Sequence, residues 1–279
     1  MQSDLFSIFG FTIQGYGLML ALGFIMCYFL SKRLARQTGR NENQIDFLLM
    51  TAIIGGVFGA RLVYVIQFWG PQFTQSPAQI FAFWSGGLVF YGGFLLAALL
   101  ILIYAWMRRR EESPLRLLDF CVVFVPLGHA FGRLGCFMHG CCFGGRCSAD
   151  NLFAVRFPKN SPAWTQHVRE CGLPASSEFS FPVWSTQLME AMGLFALFGL
   201  LWWLYRCQRT RPGLLVAIYC MAYSILRFII EMLRDDPRGG VHFSLTFSQL
   251  VSLGLFGFGL AVLGYVLVKG SHNGTIESK

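Results

Sequence analysis

Charge is scarce in this chain. Only 13% of its 279 residues are Asp, Glu, Lys or Arg, where a soluble domain carries about 25%. An ordinary water-soluble domain is therefore excluded. Residues 69–87 hold no charged residue, and the first fourteen residues hold no Lys or Arg. The N-terminus thus lacks the basic region of a removable signal peptide, and no small-residue cleavage site follows it. It is read as an outside segment ahead of the first span. No strong internal repeat is visible. The two halves lack a matched pair of interrupted hydrophobic segments, which argues against a repeat-built transporter. The net charge of +8 does not point to nucleic acid, because of where the basic residues fall.

What is abundant is apolar. Hydrophobic residues make up 55% of the chain and aromatics 16%, with a mean hydropathy of +0.54. Seven segments have spanning length, near 15–31, 46–68, 88–107, 118–138, 183–205, 213–233 and 246–268. The expected fold is an all-α integral membrane bundle of seven transmembrane helices. Lys32, Arg33, Arg36 and Arg40 follow the first span, and Arg108, Arg109, Arg110 and Arg116 the third. Arg206, Arg209 and Arg211 follow the fifth, and Lys269 and Lys279 the seventh. The positive-inside rule places these four clusters in the cytoplasm, giving N-out and C-in. Residues 1–279 then form one polytopic domain. The long segment 139–182 becomes an outward-facing cap between spans four and five. Within it, Asn151-Leu-Phe-Ala-Val-Arg-Phe-Pro alternates as a short strand does. Arg146, Arg156, Lys159 and Arg169 either attract anionic lipid or a peptide flank, or form a solvated charged surface. Trp69, Trp84, Trp164 and Trp184 fall near outer boundaries, as in an aromatic belt.

Three arginines interrupt these spans: Arg61, Arg133 and Arg227, with Glu231 one turn beyond Arg227. An ionised side chain at the centre of a membrane helix costs roughly 2.5–3.5 kcal/mol on insertion scales. Several together point to a polar site, and planar guanidinium donors match phosphate oxygens. The expected ligand is an anionic lipid headgroup; the competing reading is buried ion pairs that only fix helix register. Gly128, Gly132, Gly135, Gly140, Gly144 and Gly145 cluster where the fourth span meets the outside. Glycine there either admits a ligand close to backbone or packs helices.

The most specific stretch, His129-Ala-Phe-Gly-Arg-Leu-Gly-Cys-Phe-Met-His-Gly-Cys-Cys-Phe-Gly144, resembles the signature of the bacterial prolipoprotein diacylglyceryl transferases. Tyr16-Gly-Leu-Met, Gly59-Ala-Arg-Leu-Val-Tyr, Gly86-Gly-Leu-Val-Phe-Tyr-Gly-Gly, Gln187-Leu-Met-Glu190, Arg227-Phe-Ile-Ile-Glu231-Met-Leu-Arg234 and Phe247-Ser-Gln-Leu-Val-Ser resemble further motifs of that family, in order, over nearly the whole chain. The resemblance implies transfer of a diacylglyceryl group from phosphatidylglycerol to the cysteine thiol of a lipoprotein signal peptide, with release of glycerol phosphate. It implies a bacterial inner-membrane enzyme with its active site toward the outer face; no cofactor or metal is expected, since arginine handles phosphate departure and a side chain the proton, and the charge distribution gives no nucleic-acid partner. Arg133 and Arg227 take the charge growing on the departing phosphate, Glu231 holds Arg227, and Tyr16 orients the headgroup. Arg61, Gly132, Gly140, Gly144 and Arg234 complete the expected lipid site. The alternatives are a related lipid transferase with another acceptor, and a non-catalytic lipid-binding or redox-sensing membrane protein.

Two departures stand out. The family's third-span His-Gly-Gly is here Tyr91-Gly92-Gly93, and its usual Asn and Glu in the fourth-span signature are Cys136 and Cys141. A tyrosine with its pKa near 10 is a poor base at neutral pH. His139, inside the motif, is therefore the preferred proton acceptor, with His129 and Tyr91 as the other candidates. Cys136, Cys141, Cys142, Cys147 and Cys171 lie on or near the outward side. Three readings stay open: a disulfide such as Cys147–Cys171, free thiols packed as small apolar groups, or a metal site using His139 with Cys141, Cys142 and Cys147. Cys27, Cys121, Cys207 and Cys220 read as packing or inner-boundary residues.

Overall fold

The structure is a computed structural model. It describes the whole chain except residues 1–3, 9–10, 71–72, 75, 83–86, 88, 208–210, 235–244 and 277–279. Trp84, Arg209 and Lys279 therefore lie outside the described residues. Eight α-helices are present among the described residues: α1 Gly15–Thr38, α2 Glu42–Gln67, α3 Phe90–Met107, α4 Pro114–His139, α5 Pro162–Glu170, α6 Thr186–Arg206, α7 Leu214–Met232 and α8 Phe247–Ile276. Each of the seven predicted spans coincides with a helix. Six of them, α1, α2, α4, α6, α7 and α8, are long and apolar enough to cross a membrane. In α3 the apolar stretch Tyr91–Met107 is shorter. Its 18 residues reach about 27 Å at 1.5 Å per residue, slightly less than a hydrocarbon core of about 30 Å.

The chain forms two compact units, Tyr28–Leu118 and Met1–Cys27 with Asp119–Lys279, so the boundaries fall inside α1 and α4. In the unit Tyr28–Leu118, α2 and α3 pack through glycine. A Cβ built on Gly59 would collide with the Gly92 carbonyl, and one on Gly93 with that of Gly56. Two helices approach this closely only when neither presents a side chain, which is the small-residue mode of membrane helix packing. Gly92 and Gly93 of the Tyr-Gly-Gly motif thus serve packing. The charged ends of this unit pair among themselves: Lys32 with Asp46 at 3.0 Å, Arg36 with Glu42 at 2.7 Å, and Arg40 with Glu112.

In the other unit, α6 and α7 carry buried stripes at helical spacing. That of α6 runs Thr186, Gln187, Glu190, Ala191, Leu194, Leu197, Leu201; that of α7 runs Leu215, Ala217, Cys220, Ser224, Arg227, Ile230, Glu231. Each stripe is apolar at one end and polar at the other. The buried Asp119 caps α7, accepting from Gly213 N at 2.7 Å and Val216 N at 3.0 Å. Unpaired N–H groups at a helix start make that position favourable for a carboxylate.

The expected cap has a small core of its own, built from Phe143, Phe157, Ala163 and Val183. The predicted strand is reduced to Ala154–Val155, paired antiparallel with Val183–Trp184. Trp164 is not a belt residue: it is 8% exposed, and its indole donates to the Ser177 carbonyl at 2.9 Å. Trp69, by contrast, is 60% exposed. A hairpin of Asp4–Ile8 and Phe11–Gln14, not anticipated from the sequence, precedes α1.

Candidate active site

The polar ends of the stripes meet the last turns of α4. Ala130 of α4 packs against Ala191 and Leu194 of α6. That approach brings Arg133 to Glu190: Nη2 lies 3.0 Å from Oε1, and Glu190 is completely buried. His129, one turn earlier on α4, has Nε2 3.8 Å from the same oxygen, and its ring lies edge-on to Tyr223, centroids 5.4 Å apart.

A second pair lies on α7. Arg227 Nη2 is 2.5 Å from Glu231 Oε2 and donates to Ser248 Oγ of α8 at 3.1 Å. Thr246, just before α8, donates its hydroxyl to Glu231 Oε1 at 3.0 Å. The expectation that Glu231 holds Arg227 matches this geometry, with Ser248 of α8 and Thr246 just before it adding one contact each. Arg234 lies within electrostatic range of Arg133, and its backbone bridges to Gly144.

Not all hydrogen-bonding capacity is used. Among the described residues, Arg133 Nε, Arg227 Nη1, Gln187 Oε1 and Glu190 Oε2 are buried without a hydrogen-bond partner. Buried polar groups are rarely left this way, because each costs about 1–3 kcal/mol. Guanidinium donors and side-chain acceptors left open in this way fit a ligand that offers both oxyanions and hydroxyls.

The glycines divide. Gly132 faces open space; nothing lies within 4 Å of a Cβ built there. Gly140, at φ +77°, ends α4 by donating to the Cys136 carbonyl at 3.0 Å, a left-handed C-terminal cap that glycine favours. Gly144 lies so close to the Leu233 carbonyl and to Trp184 that a Cβ would sit 2.6–2.7 Å from them. Gly140 and Gly144 therefore shape the backbone. Tyr16 is 36% exposed, and its ring lies over Gly135 of α4.

After Gly140 the chain turns back on itself. Cys142 takes φ +62°, a left-handed conformation unusual for a residue with a Cβ. The turn is clamped from α6: Gln187 Nε2 donates to the Cys141 carbonyl at 2.7 Å, and Thr186 Oγ1 to the Cys142 carbonyl at 2.9 Å. As a result the sulfurs of Cys136, Cys141 and Cys142 lie within 4.8 Å of one another. Hydrogen bonds to Cys136 and Cys142, then burial, raise the Cys141 thiol above its ordinary range. All nine cysteines are unbonded, so the Cys147–Cys171 bridge is not formed. The thiol group is also not the set anticipated: Cys136 enters it, while His139 and Cys147 stay out.

His139 is exposed and lines an open cleft of about 360 Å³ with Asn160, Pro162, Thr165, Gln166, Arg169 and Glu170. No described hydrogen bond or ion pair joins it to Arg133 or Glu190. His129, the less favoured histidine, sits beside them. Arg61 and Tyr91 belong to the other unit. Arg61 is buried and donates to the carbonyls of Gln79, Ile80 and Gly87 at 2.5, 3.0 and 3.3 Å, over the Tyr64 ring at 5.2 Å. It ties the segment after α2 to that helix. Tyr91 is 65% exposed. Sequence reasoning passed over Glu190 as a site residue, although an acidic group within an apolar span calls for a partner. It also passed over Gln187, Thr246 and Ser248.

The family model for prolipoprotein diacylglyceryl transferase matches residues 3–265. The phosphatidylglycerol–prolipoprotein diacylglyceryl transferase 2 of Clostridium perfringens is 32% identical over 270 residues, 97% of either chain. The phosphatidylglycerol–prolipoprotein diacylglyceryl transferase of Nitratidesulfovibrio vulgaris is 34% identical over 265 residues, 92% of this chain and 91% of its own. That of Burkholderia mallei is 31% identical over 278 residues, 93% and 92% respectively.

Proposed function

The chain belongs to the prolipoprotein diacylglyceryl transferase family, and we propose that it transfers a diacylglyceryl group from phosphatidylglycerol to the cysteine thiol of a prolipoprotein signal peptide. The observation that carries this reading is the pair of arginines, Arg227 buried and Arg133 12% exposed at its side chain, each with a shielded N–H left without a partner.

The reaction gives those donors their use. The acceptor thiolate attacks the glyceryl carbon that bears the phosphate. A carbon–sulfur bond forms as the carbon–oxygen bond breaks, and the electron pair leaves with the oxygen as glycerol phosphate. The phosphate changes from a monoanionic diester to a more highly charged monoester. Prealigned guanidiniums therefore bind the transition state better than the ground state. Glu190 holds Arg133, and Glu231 with Ser248 holds Arg227, so little reorganisation is needed. The open acceptors Gln187 Oε1 and Glu190 Oε2 suit the hydroxyls of the glycerol headgroup. Gly132 leaves space beside them, Tyr16 borders the site over Gly135, and Arg234 adds positive charge.

The basic clusters support an N-out, C-in orientation in the bacterial inner membrane, with α3 as the seventh span. Arg133, Glu190 and Arg227 then lie toward the outer face, and residues 139–182 form the cap above them. This is the side on which a translocated signal peptide presents its cysteine. The test is reconstitution into vesicles with an acceptor peptide. Transfer from phosphatidylglycerol and none from phosphatidylcholine supports the reading; equal transfer from both rejects the headgroup site.

A further inference from the structure

The thiol group at the end of α4 is not used by the phosphate clamp proposed above, yet its geometry is specific. Gly140 at φ +77° and Cys142 at φ +62° fold the chain back, and Gln187 and Thr186 of α6 fix both carbonyls of the turn. The left-handed conformation at Cys142 is disfavoured for an ordinary side chain. It is stabilised here by contacts that bring a third sulfur beside the other two. Cys136 is also one helical turn beyond Arg133 on α4 and within its electrostatic range.

We infer that Cys136, Cys141 and Cys142 form a zinc site that takes the acceptor cysteine as its fourth ligand. This rests on the transfer proposed above and names how the acceptor thiol is held and activated. The donor set is the first argument. Three thiolates exclude hard cations such as magnesium and calcium and select zinc or monovalent copper. Tetrahedral zinc with sulfur at about 2.3 Å places its sulfurs about 3.8 Å apart. The three sulfurs already lie within 4.8 Å, so closure needs only small side-chain rotations.

The second argument is the number of ligands. Among the described residues no histidine, carboxylate or fourth cysteine joins the group. Structural zinc sites are closed by four protein ligands, whereas catalytic ones keep three and leave one position open. The third argument is chemical need. No histidine joins the thiol group among the described residues, and His139 instead lines the open cleft with Thr165 and Arg169. A free cysteine, with a pKa near 8.5, is only about 3% thiolate at pH 7. Coordination deprotonates a thiol outright, a gain of about thirtyfold in the attacking form.

The step balances without an oxidant or reductant. The peptide thiol replaces water in the fourth position and gives its proton to solvent. Its sulfur lone pair then forms the bond to the glyceryl carbon, and the carbon–oxygen bond breaks toward the phosphate held by Arg133. The thioether leaves the metal and water returns.

The test measures metal content and the ligand field together with transfer. Wild-type protein purified without chelator should carry about one zinc per chain, and a Cys136→Ser, Cys141→Ser, Cys142→Ser variant none. With cobalt in place of zinc, thiolate-to-metal absorption should appear. The visible bands should shift on adding an acceptor peptide, and stay unmoved with the same peptide carrying serine for cysteine. Chelation of the wild type should lower transfer at least about thirtyfold at pH 7, with recovery on adding zinc; this arm needs no variant to fold. Full transfer by metal-free wild type, a disulfide among these cysteines, copper in place of zinc, or cobalt bands indifferent to the peptide would each overturn the inference. Transfer by metal-free protein leaves the proposed function standing. Zinc binding with a peptide-sensitive spectrum but no lipid transfer would instead remove the function and keep the site.

Discussion

Arg133 Nη2 lies 3.0 Å from Oε1 of Glu190, a carboxylate wholly shielded from solvent. A charge in that position is tolerable only because the other is there. Removing one partner of a buried pair typically costs about 3–5 kcal/mol. Glu190→Ala should therefore lower the unfolding temperature in detergent and abolish transfer. Glu190→Gln, which keeps the shape and one acceptor, should lose less stability while still losing activity. Near-native stability for Glu190→Ala would show that Arg133 does not depend on this partner.

Arg133→Ala and Arg227→Ala should each still insert, at a cost in stability for the glutamate left unpaired, and turn over at least tenfold more slowly. A charge-assisted contact contributes about 1.5–3 kcal/mol, and roughly each 1.4 kcal/mol is tenfold in rate. Because each guanidinium holds its glutamate with one N–H and keeps another unused, lysine should not restore either site. Initial rates at saturating lipid decide this, and wild-type rates in both alanine variants would reject the clamp.

His139→Gln should keep transfer within about threefold of wild type. The side chain is exposed and lines a cleft with Thr165 and Arg169, and no described bond or ion pair reaches the arginine pair. A general base contributes about 10²–10⁴-fold, so a loss of that size, with the acidic limb of the pH–rate profile gone, would restore His139 as proton acceptor. His129→Gln is the informative counterpart, since its ring nitrogen lies 3.8 Å from Glu190.

Reporter fusions after Arg110 and Arg211 should report the cytoplasm, and one near Asn160 the exterior. The basis is the alternation of basic loops along the chain. A reversed pattern would put the arginine cluster on the wrong face for a translocated acceptor.

The helices and the arginines within the spans were legible because each rests on a local signal. Apolar runs of spanning length mark the helices, and an arginine inside such a run marks itself. The Arg227–Glu231 pair was legible for the same reason, as i and i+4 share a helix face. The Arg133–Glu190 pair was not, because it depends on how α4 and α6 pack around Ala130 and Ala191. Arg61 looked like a ligand residue because the sequence does not show that the Gln79, Ile80 and Gly87 carbonyls take its donors. Nor does spacing reveal that two left-handed residues fold Cys141 and Cys142 back beside Cys136. The cysteines therefore invited a disulfide, or a group with His139 and Cys147 in place of Cys136. Trp164 fell at a predicted boundary, but its indole is drawn into the cap by the Ser177 carbonyl.

The most direct measurement follows the phosphorus. Purified protein in vesicles receives phosphatidylglycerol labelled separately in the acyl chains and in the phosphate, together with a signal peptide bearing one cysteine. Intact-mass analysis should find the acyl label on the peptide, the added mass of one diacylglyceryl group, and the phosphate label in free glycerol phosphate. Phosphate label on the peptide, acyl label joined through an ester or amide, or an unmodified peptide in the presence of zinc and phosphatidylglycerol would contradict the assignment.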